Sequence, residues 1–473
     1  MSETSTTAEQ PASGQPELKR AMGPKLLFFF VIGDVLGTGI YALTGSVAGK
    51  VGGALWLPFL IAFFVAFLTA FSYLELVGKY PRAAGAALYT NRAFKMPFLT
   101  FLVAFTVMCS GITSATAAAR AFGGTYLPRS FGITLSPTVI AIIAVAFVLM
   151  LAGINFIGVS ESIKANVVLT CIELSGLLII IGVGVYAVLA GKGEPARLTE
   201  VNTSDQGFLL AITAATSLAF FAMVGFEDSV NMAEECVDPP RIFPKALLWG
   251  LGAAAAIYVM VAITSSLLIP AADLSKAGSN ALLEVIGVGA PGFPLRVFAF
   301  IGLFAVVNSA LINMLMASRL LYGMSNERIL PRGFATVHPF RRTPWVSILI
   351  TTGIAAALLL VTAGSPDAVG KLGGTTALLL LVVFTVVNVA VLVLRREPMS
   401  HKHFKAPTWA PLLAAVLCGY LAIPVLSGRP ASDYWIALGL IAVGIVLWGV
   451  NWLYLRSRGE EIPKEFNPES LAK

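Results

Sequence analysis

Charge is what this 473-residue chain has least of: Asp, Glu, Lys and Arg make up 12% of it, against roughly 25% in an ordinary soluble domain. Histidine is nearly missing. His338, His401 and His403 all fall outside the apolar runs, and no HExxH, phosphate-binding glycine loop or serine-nucleophile motif accompanies them, so the sequence argues against an enzyme. Cysteine is scarce and scattered: Cys109, Cys171, Cys236 and Cys418 show no CxxC or comparable ligand spacing. They read as small core residues, and neither a metal site nor a cofactor is expected. A cleavable signal sequence is also lacking, because the first twenty residues are small, polar and proline-bearing, and the apolar run from Leu26 is too long for a signal core.

What the chain has instead is apolar residues, 57% of the total, gathered in runs of helix-spanning length. Spans are expected near residues 24–47, 54–78, 97–122, 136–157, 165–190, 208–232, 245–269, 293–322, 345–363, 374–394, 409–427 and 434–455, each near the twenty or so residues that a ~30 Å hydrocarbon core requires. The fold class is therefore all-α integral membrane, with about twelve spans in a single domain over residues 23–457, whose surrounding partner is the lipid bilayer. Residues 1–22 read as a disordered tail, and residues 458–473 as a second polar tail. The net charge of +7 does not point to nucleic acid. Its Lys and Arg residues concentrate in alternate loops, among them Lys79, Arg82, Arg92 and Lys95, then Arg328, Arg332, Arg341 and Arg342, then Arg395, Arg396, Lys402 and Lys405. The positive-inside rule then places these loops and both termini in the cytoplasm, for a chain in the cytoplasmic membrane. His401 and His403 flank Lys402 in such a loop and read as a solvated face near anionic lipid. Oligomeric state leaves no mark on the sequence.

Two spans carry glycine where a plain lipid-facing helix gains nothing from it: Gly33, Gly37 and Gly39 in the first, Gly225 in the sixth. Five spans separate them, so the second interrupted helix runs opposite to the first, as an inverted repeat of five helices with two added spans would produce. On that reading repeat one covers about 24–190, repeat two about 208–394, and the additional helices about 409–455. Paired interruptions point to a midplane binding site, although glycines also serve close helix packing. Acidic residues sit at membrane depth nearby: Asp34, Glu173, Glu227 and Asp228, with Glu75 deeper in the second span beside Lys79 and Arg82. Each costs at least ~2.5 kcal/mol to insert and is a functional candidate. Glu75 reads as a gate or packing carboxylate near the cytoplasmic interface, away from substrate.

LGTGIYALTG at Leu36 to Gly45 and FFAMVGFEDSVNMAEE at Phe220 to Glu235 resemble the amino acid/polyamine/organocation permease superfamily. YLELVGKYPRAAGAALY (Tyr73 to Tyr89) and SRLLYGMSNERILPRGFATVHP (Ser318 to Pro339) resemble that superfamily's segments after the second and eighth helices, in the same order. The resemblance implies the inverted five-helix repeat with discontinuous helices 1 and 6, alternating access, and substrates drawn from amino acids, polyamines and other organic amines. The expected function is secondary active transport of amino acids, with the surplus of carboxylates pointing toward cationic ones, proton-coupled or exchanging. The alternatives are a polyamine or other organic-amine permease, or a non-transporting ligand sensor on the same fold.

An unwound segment exposes N–H groups at one half-helix and carbonyls at the other, which suits a zwitterion. Gly37, Thr38, Gly39 and Ile40 are the candidates for holding a carboxylate, as helix N-termini hold anions. The carbonyls of Val35 and Leu36, and those near Ala222, Val224 and Gly225 where the outer half of the sixth helix should end, are candidates for the ammonium group. The resemblance places an aromatic gate at Phe221, with Phe220 beside it, and makes Glu227 the first candidate for proton coupling. Glu173 departs from the family pattern, standing where proton-coupled relatives of the cationic branch carry a lysine that mimics sodium. It either titrates itself or pairs with a cation, with Ser309 as a further oxygen, so the coupling ion is H+ or Na+. Asp34 completes the coupling set.

Overall fold

The computed structural model describes residues 22–81, 85–157, 162–202, 207–326, 328–365, 367–397 and 403–459. The tails expected over 1–22 and 458–473 lie almost wholly outside these, as do Arg82, His401 and Lys402. All named elements among the described residues are helical: α1 (Pro24–Val35), α2 (Thr38–Val51), α3 (Trp56–Lys79), α4 (Gly85–Phe94), α5 (Pro97–Ala121), α6 (Leu127–Phe131), α7 (Pro137–Ile157), α8 (Ser162–Leu189), α9 (Phe208–Ala219), α10 (Pro239–Leu268), α11 (Ala271–Ala277), α12 (Ala281–Gly289), α13 (Leu295–Asn326), α14 (Trp345–Val361), α15 (Ala368–Leu394), α16 (Trp409–Ala422), α17 (Pro424–Ser427) and α18 (Ala431–Ser457). A bilayer offers no hydrogen bonds, so each segment must satisfy its own backbone, and helices do so.

Ten stretches among the described residues are long and apolar enough to cross a membrane, while α14 and α16 are shorter apolar helices of 17 and 14 residues. Large apolar side chains cover the outside of the molecule as well as filling its core. Leu189, Leu360 and Val425 are 82%, 66% and 83% exposed, whereas Glu173 and Asp433 are 0% and 2% exposed. That distribution is stable only where the surroundings are hydrocarbon, and the chain is a multi-pass membrane protein.

Several expected boundaries move for local reasons. The third span does not stop near 122 but passes through a π-helical turn, Phe122–Tyr126, into α6. The seventh starts earlier, at Pro239, because proline is favoured in a first helical turn. The tenth also starts earlier, at Ala368, where the Asp367 carboxylate caps the helix by accepting from Gly370 N–H at 3.0 Å. The eleventh is divided: α16 ends at Ala422, and Ile423 is extended before Pro424.

One end of the bundle gathers the basic connections. There Glu75 on α3 receives a forked pair of hydrogen bonds from Arg395, Nε to Oε1 at 2.8 Å and Nη2 to Oε2 at 2.6 Å, and a third from Ala406 N–H at 2.8 Å. Lys79, expected beside Glu75, instead donates to the carbonyls of Leu394 and Glu397. Sequence proximity suggested the wrong partner because Arg395 lies 320 residues away. Glu75 is thus a clamp between α3 and the end of α15, apart from the centre.

Candidate functional site

Both glycine-marked spans break near mid-depth. In the first, α1 closes at Val35, Leu36 N–H still reaches Ile32 O at 2.7 Å, and Gly37 N–H turns back to Val35 O at 2.8 Å before α2 begins at Thr38. The first N–H groups of α2 have no intrahelical acceptor. In the second, α9 ends at Ala219, somewhat earlier than expected, and a 3-10 turn runs over Phe220–Met223. Gly225 then takes φ +119, a conformation that L side chains rarely adopt. Beyond it the chain does not resume an α-helix as expected but a 3-10 helix, Asp228–Glu235. Ser favours such local bonds to the backbone over helix, and Ser229 Oγ donates to Phe226 O at 2.6 Å.

The breaks face each other. A Cβ on Gly39 would stand 2.5 Å from Ala222 Cα, and one on Gly225 would stand 2.6 Å from Asp34 O. Between them is a cavity of about 20 Å³, room for roughly one water molecule. Val35, Gly37, Thr38 and Gly39 line it from the first break, and Phe221, Val224 and Gly225 from the second. Asp34 and Ser309, expected to serve coupling, line it as well. Leu36, Ile40 and Ala222 are buried behind this wall rather than in it. The Val35 carbonyl is already engaged, accepting from the Tyr258 hydroxyl of α10 at 2.6 Å as well as from Gly37 N–H.

Two lining residues went unread in the sequence, Ser114 on α5 and Asn313 on α13, and Asp228, one of the acids expected at depth, lines the cavity as well. Asp34 Oδ2 and Thr38 Oγ1 are buried without a hydrogen-bond partner in the described structure. None of the residues lining the cavity is Lys, Arg or His.

The remaining candidates stand apart from the cavity. Glu227 turns back on its own loop, its Oε2 accepting from Gly225 N–H at 2.9 Å. Phe220 packs edge-on against Phe384 with centroids 6.0 Å apart. Glu173 on α8 is fully buried, with Asn308 as a polar neighbour and Asp34 as an interacting like charge, and neither carboxylate oxygen makes a hydrogen bond of normal geometry. Ser309, unlike these, is in the cavity wall, against Gly37, where a Cβ would approach its Oγ to 2.8 Å. Gly33 is a packing glycine: a Cβ there would strike Thr170 Oγ1 of α8.

Packed side chains and helices flank the cavity on both sides. Toward the basic end, Tyr73 of α3 meets Tyr89, Phe226 and Phe384 with centroids 6.1, 5.8 and 5.7 Å apart. Toward the far end, α2 lies flat against the connection after α10, where Gly45 faces the carbonyls of Leu274 and Gly278, and Gly49 faces Ser275. A small central polar cavity between two broken helices, flanked by packing above and below, is the arrangement of a membrane transporter rather than an open pore.

Comparison with known proteins agrees with this geometry. The family model described as amino acid permease matches residues 23–450, nearly the full chain. The chain belongs to the amino acid permease family. Permeases of this family, within the amino acid/polyamine/organocation superfamily, are transporters and not enzymes. The permease is 25% identical to the branched-chain amino acid permease BcaP of Bacillus subtilis, over 87% of this chain and 89% of that protein. It is 27% identical to the methylthioribose transporter of the same organism, over 93% of this chain and 91% of the relative. It is also 27% identical to cationic amino acid transporter 4 of Mus musculus, over 86% of this chain and 64% of the mouse protein.

Proposed function

We propose that this permease moves amino acids with cationic side chains across the cytoplasmic membrane by alternating access. The observation that carries the reading is the pair of carboxylates, Asp34 and Asp228, lining a central cavity that has no basic residue in its wall. A buried carboxylate is costly unless a cation meets it. The α-carboxylate of the substrate would sit on the free N–H groups that open α2, leaving the acids for its positive groups. The name of the mouse relative, a cationic amino acid transporter, supports the same substrate class.

In this reading the two breaks belong to two inverted five-helix repeats. With α14 and α16 crossing, there are twelve spans, both termini and the basic loops are cytoplasmic, and the far end is external. A cavity of about 20 Å³ is then a closed intermediate that must widen toward one side to admit substrate. Proton coupling runs through the acids around the second break, with Glu227 holding Gly225 N–H.

Proteoliposome uptake of a labelled panel of basic, neutral and acidic amino acids and polyamines, with proton and sodium gradients imposed separately, tests the reading. Lysine or arginine uptake driven by a proton gradient is the expected result. Asp228→Asn should lower uptake of the basic amino acids by about 10-fold or more, since a hydrogen bond to a charged group contributes ~1.5–3 kcal/mol, while changing any uptake of neutral ones little. Equal losses for both classes would remove Asp228 from side-chain recognition. Uptake of polyamines alone would favour an organic-amine permease, and saturable binding without flux a sensor.

Glu227→Gln keeps an oxygen to accept from Gly225 N–H, so the loop should hold its shape. The variant is expected to transport with a flattened pH dependence, measured as initial rate against bath pH with the gradient clamped. An unaltered profile would shift the coupling role to Glu173 or Asp34.

A further inference from the structure

On the far side of the breaks a buried arginine joins elements that are distant in sequence. Arg429, in the corner between α17 and α18, is 8% exposed and spreads its guanidinium over three backbone carbonyls. Nη2 donates to Ser217 O of α9 at 2.8 Å, Nη1 to Gly374 O of α15 at 2.7 Å, and Nε to Leu421 O of α16 at 3.1 Å. Its counter-ion is Asp433 of α18, at 3.8 Å and 2% exposed. The Asp433 carboxylate lies on Gly374, where any Cβ would collide with Oδ2. The corner itself is fitted to α9: Gly428 takes φ +61, and a Cβ there would stand 3.0 Å from Ala214 Cβ.

The outer half of the first span reaches the same place. Lys50, in the last turn of α2, lies within the electrostatic field of the carboxylates of Asp433 and Asp367 and of the Arg429 guanidinium. Ser46, one turn earlier, donates to Asp367 Oδ1 at 3.1 Å. Both half-helices that cover the cavity on the far side therefore reach one charged cluster anchored to α15 and α18, α2 from its outer end and α9 from its last turn before the break.

Stability does not account for such a cluster. Two buried charges cost several kcal/mol each to desolvate, and well-packed apolar residues of the same volume are often as good or better. A guanidinium fork with three carbonyl partners differs from apolar packing in being satisfied in one arrangement only, because swinging α9 outward removes the Ser217 bond and lets water reach the ion pair. That is the behaviour of a two-state element. We infer that the Arg429–Asp433 pair, with Lys50, is the external latch of this permease, holding α2 and α9 closed over the centre. Arg429 acts here as a positioning residue through the C-terminal part of α9 and makes no contact with the cavity.

The latch rests on the topology proposed above but can be tested without transport. A reporter cysteine replaces Ser114 in the cavity wall, and its labelling by a membrane-impermeant maleimide is timed from each face of sealed vesicles, against the same protein without the reporter. Arg429→Lys, Asp433→Asn and Lys50→Met are expected to speed labelling from the face opposite the termini by about 10-fold, within the usual range of conformational coupling. Labelling from the other face should slow or stay the same. Lys50→Met leaves the Arg429 pair whole, so it decides the matter if the other two variants do not yield monodisperse protein. If uptake is measurable, the variants should lower the external KM and the maximal rate together, as a shift toward an outward-open resting state requires. Unchanged labelling in well-folded protein, or equal acceleration from both faces, would overturn the latch. Faster external labelling in a protein that moves no amino acid would leave it standing and remove the substrate assignment alone.

Discussion

Gly39→Val is expected to reduce uptake to the level of empty vesicles while the protein still reaches the membrane. Gly39 is the second residue of α2, and its Cα face lies against the backbone of Ala222, so that even a methyl group would stand 2.5 Å from Ala222 Cα. The obstacle is backbone, which cannot rotate away. Overpacking of this kind typically costs ~1–3 kcal/mol where neighbours can adjust, and here adjustment means prising the two breaks apart. The N–H groups at the start of α2 would then no longer face the acids across the cavity. Measured uptake, with size-exclusion profiles and surface quantity as controls, separates a blocked centre from a misfolded chain. Gly39→Ala should already be severely impaired. Normal transport by the valine variant would show that the facing breaks are not the substrate site.

Gly225→Ala should be nearly as damaging, for a different reason. Gly225 combines φ +119 with a Cβ position 2.6 Å from the Asp34 carbonyl and 3.2 Å from its carboxyl carbon. Alanine there would be strained in its own dihedral, by ~1 kcal/mol or more, and would press on an acid of the cavity. Relief requires the loop to turn, which redirects both Glu227 and Asp228. The expected result is loss of uptake of the basic amino acids together with a lowered thermal midpoint in detergent. Preserved uptake with only a lower midpoint would assign Gly225 to packing and leave substrate recognition elsewhere. The two glycines thus probe the same centre from opposite half-helices, one through space for the backbone and one through its conformation.

Much was legible along the chain. The spans could be read because an apolar run of helix length has one solution in hydrocarbon, and the ten long stretches lie close to their expected positions. The two breaks were marked by glycines among carboxylates, and Gly37, Thr38 and Gly39 meet Phe221, Val224 and Gly225 at the cavity. Local capping was harder to foresee. Asp367 lengthens α15 at its start, while the Asp, Ser and Asn residues after Gly225 replace an expected helical half with a 3-10 helix.

Adjacent acids show where sequence reading ends. Glu227 and Asp228 differ by one position, and helical periodicity cannot orient them because Gly225 precedes them with a positive φ. The direction each side chain takes follows from that one dihedral, which sends Asp228 to the cavity and Glu227 back to Gly225 N–H. Ser114 and Asn313 belong to spans with no internal signal, and only packing of α5 and α13 against the breaks puts them in the wall.

The sequence by itself determined what could be decided within single segments: a membrane solvent, helical spans, interrupted first and sixth helices, acids at depth, and a superfamily resemblance carried by four ordered motifs. Hydrocarbon permits few backbone solutions, so composition over twenty or so residues suffices for these. Only the tertiary structure decided the pairings: Glu75 with Arg395 across 320 residues, Tyr258 with the Val35 carbonyl, and Arg429 with carbonyls of three helices. Each of these joins a charged or hydroxyl group to a partner that hydropathy does not mark, since a backbone carbonyl is present at every residue. Which one is left free, and which cation can reach it, is settled by where helices end and how closely their glycines let them approach.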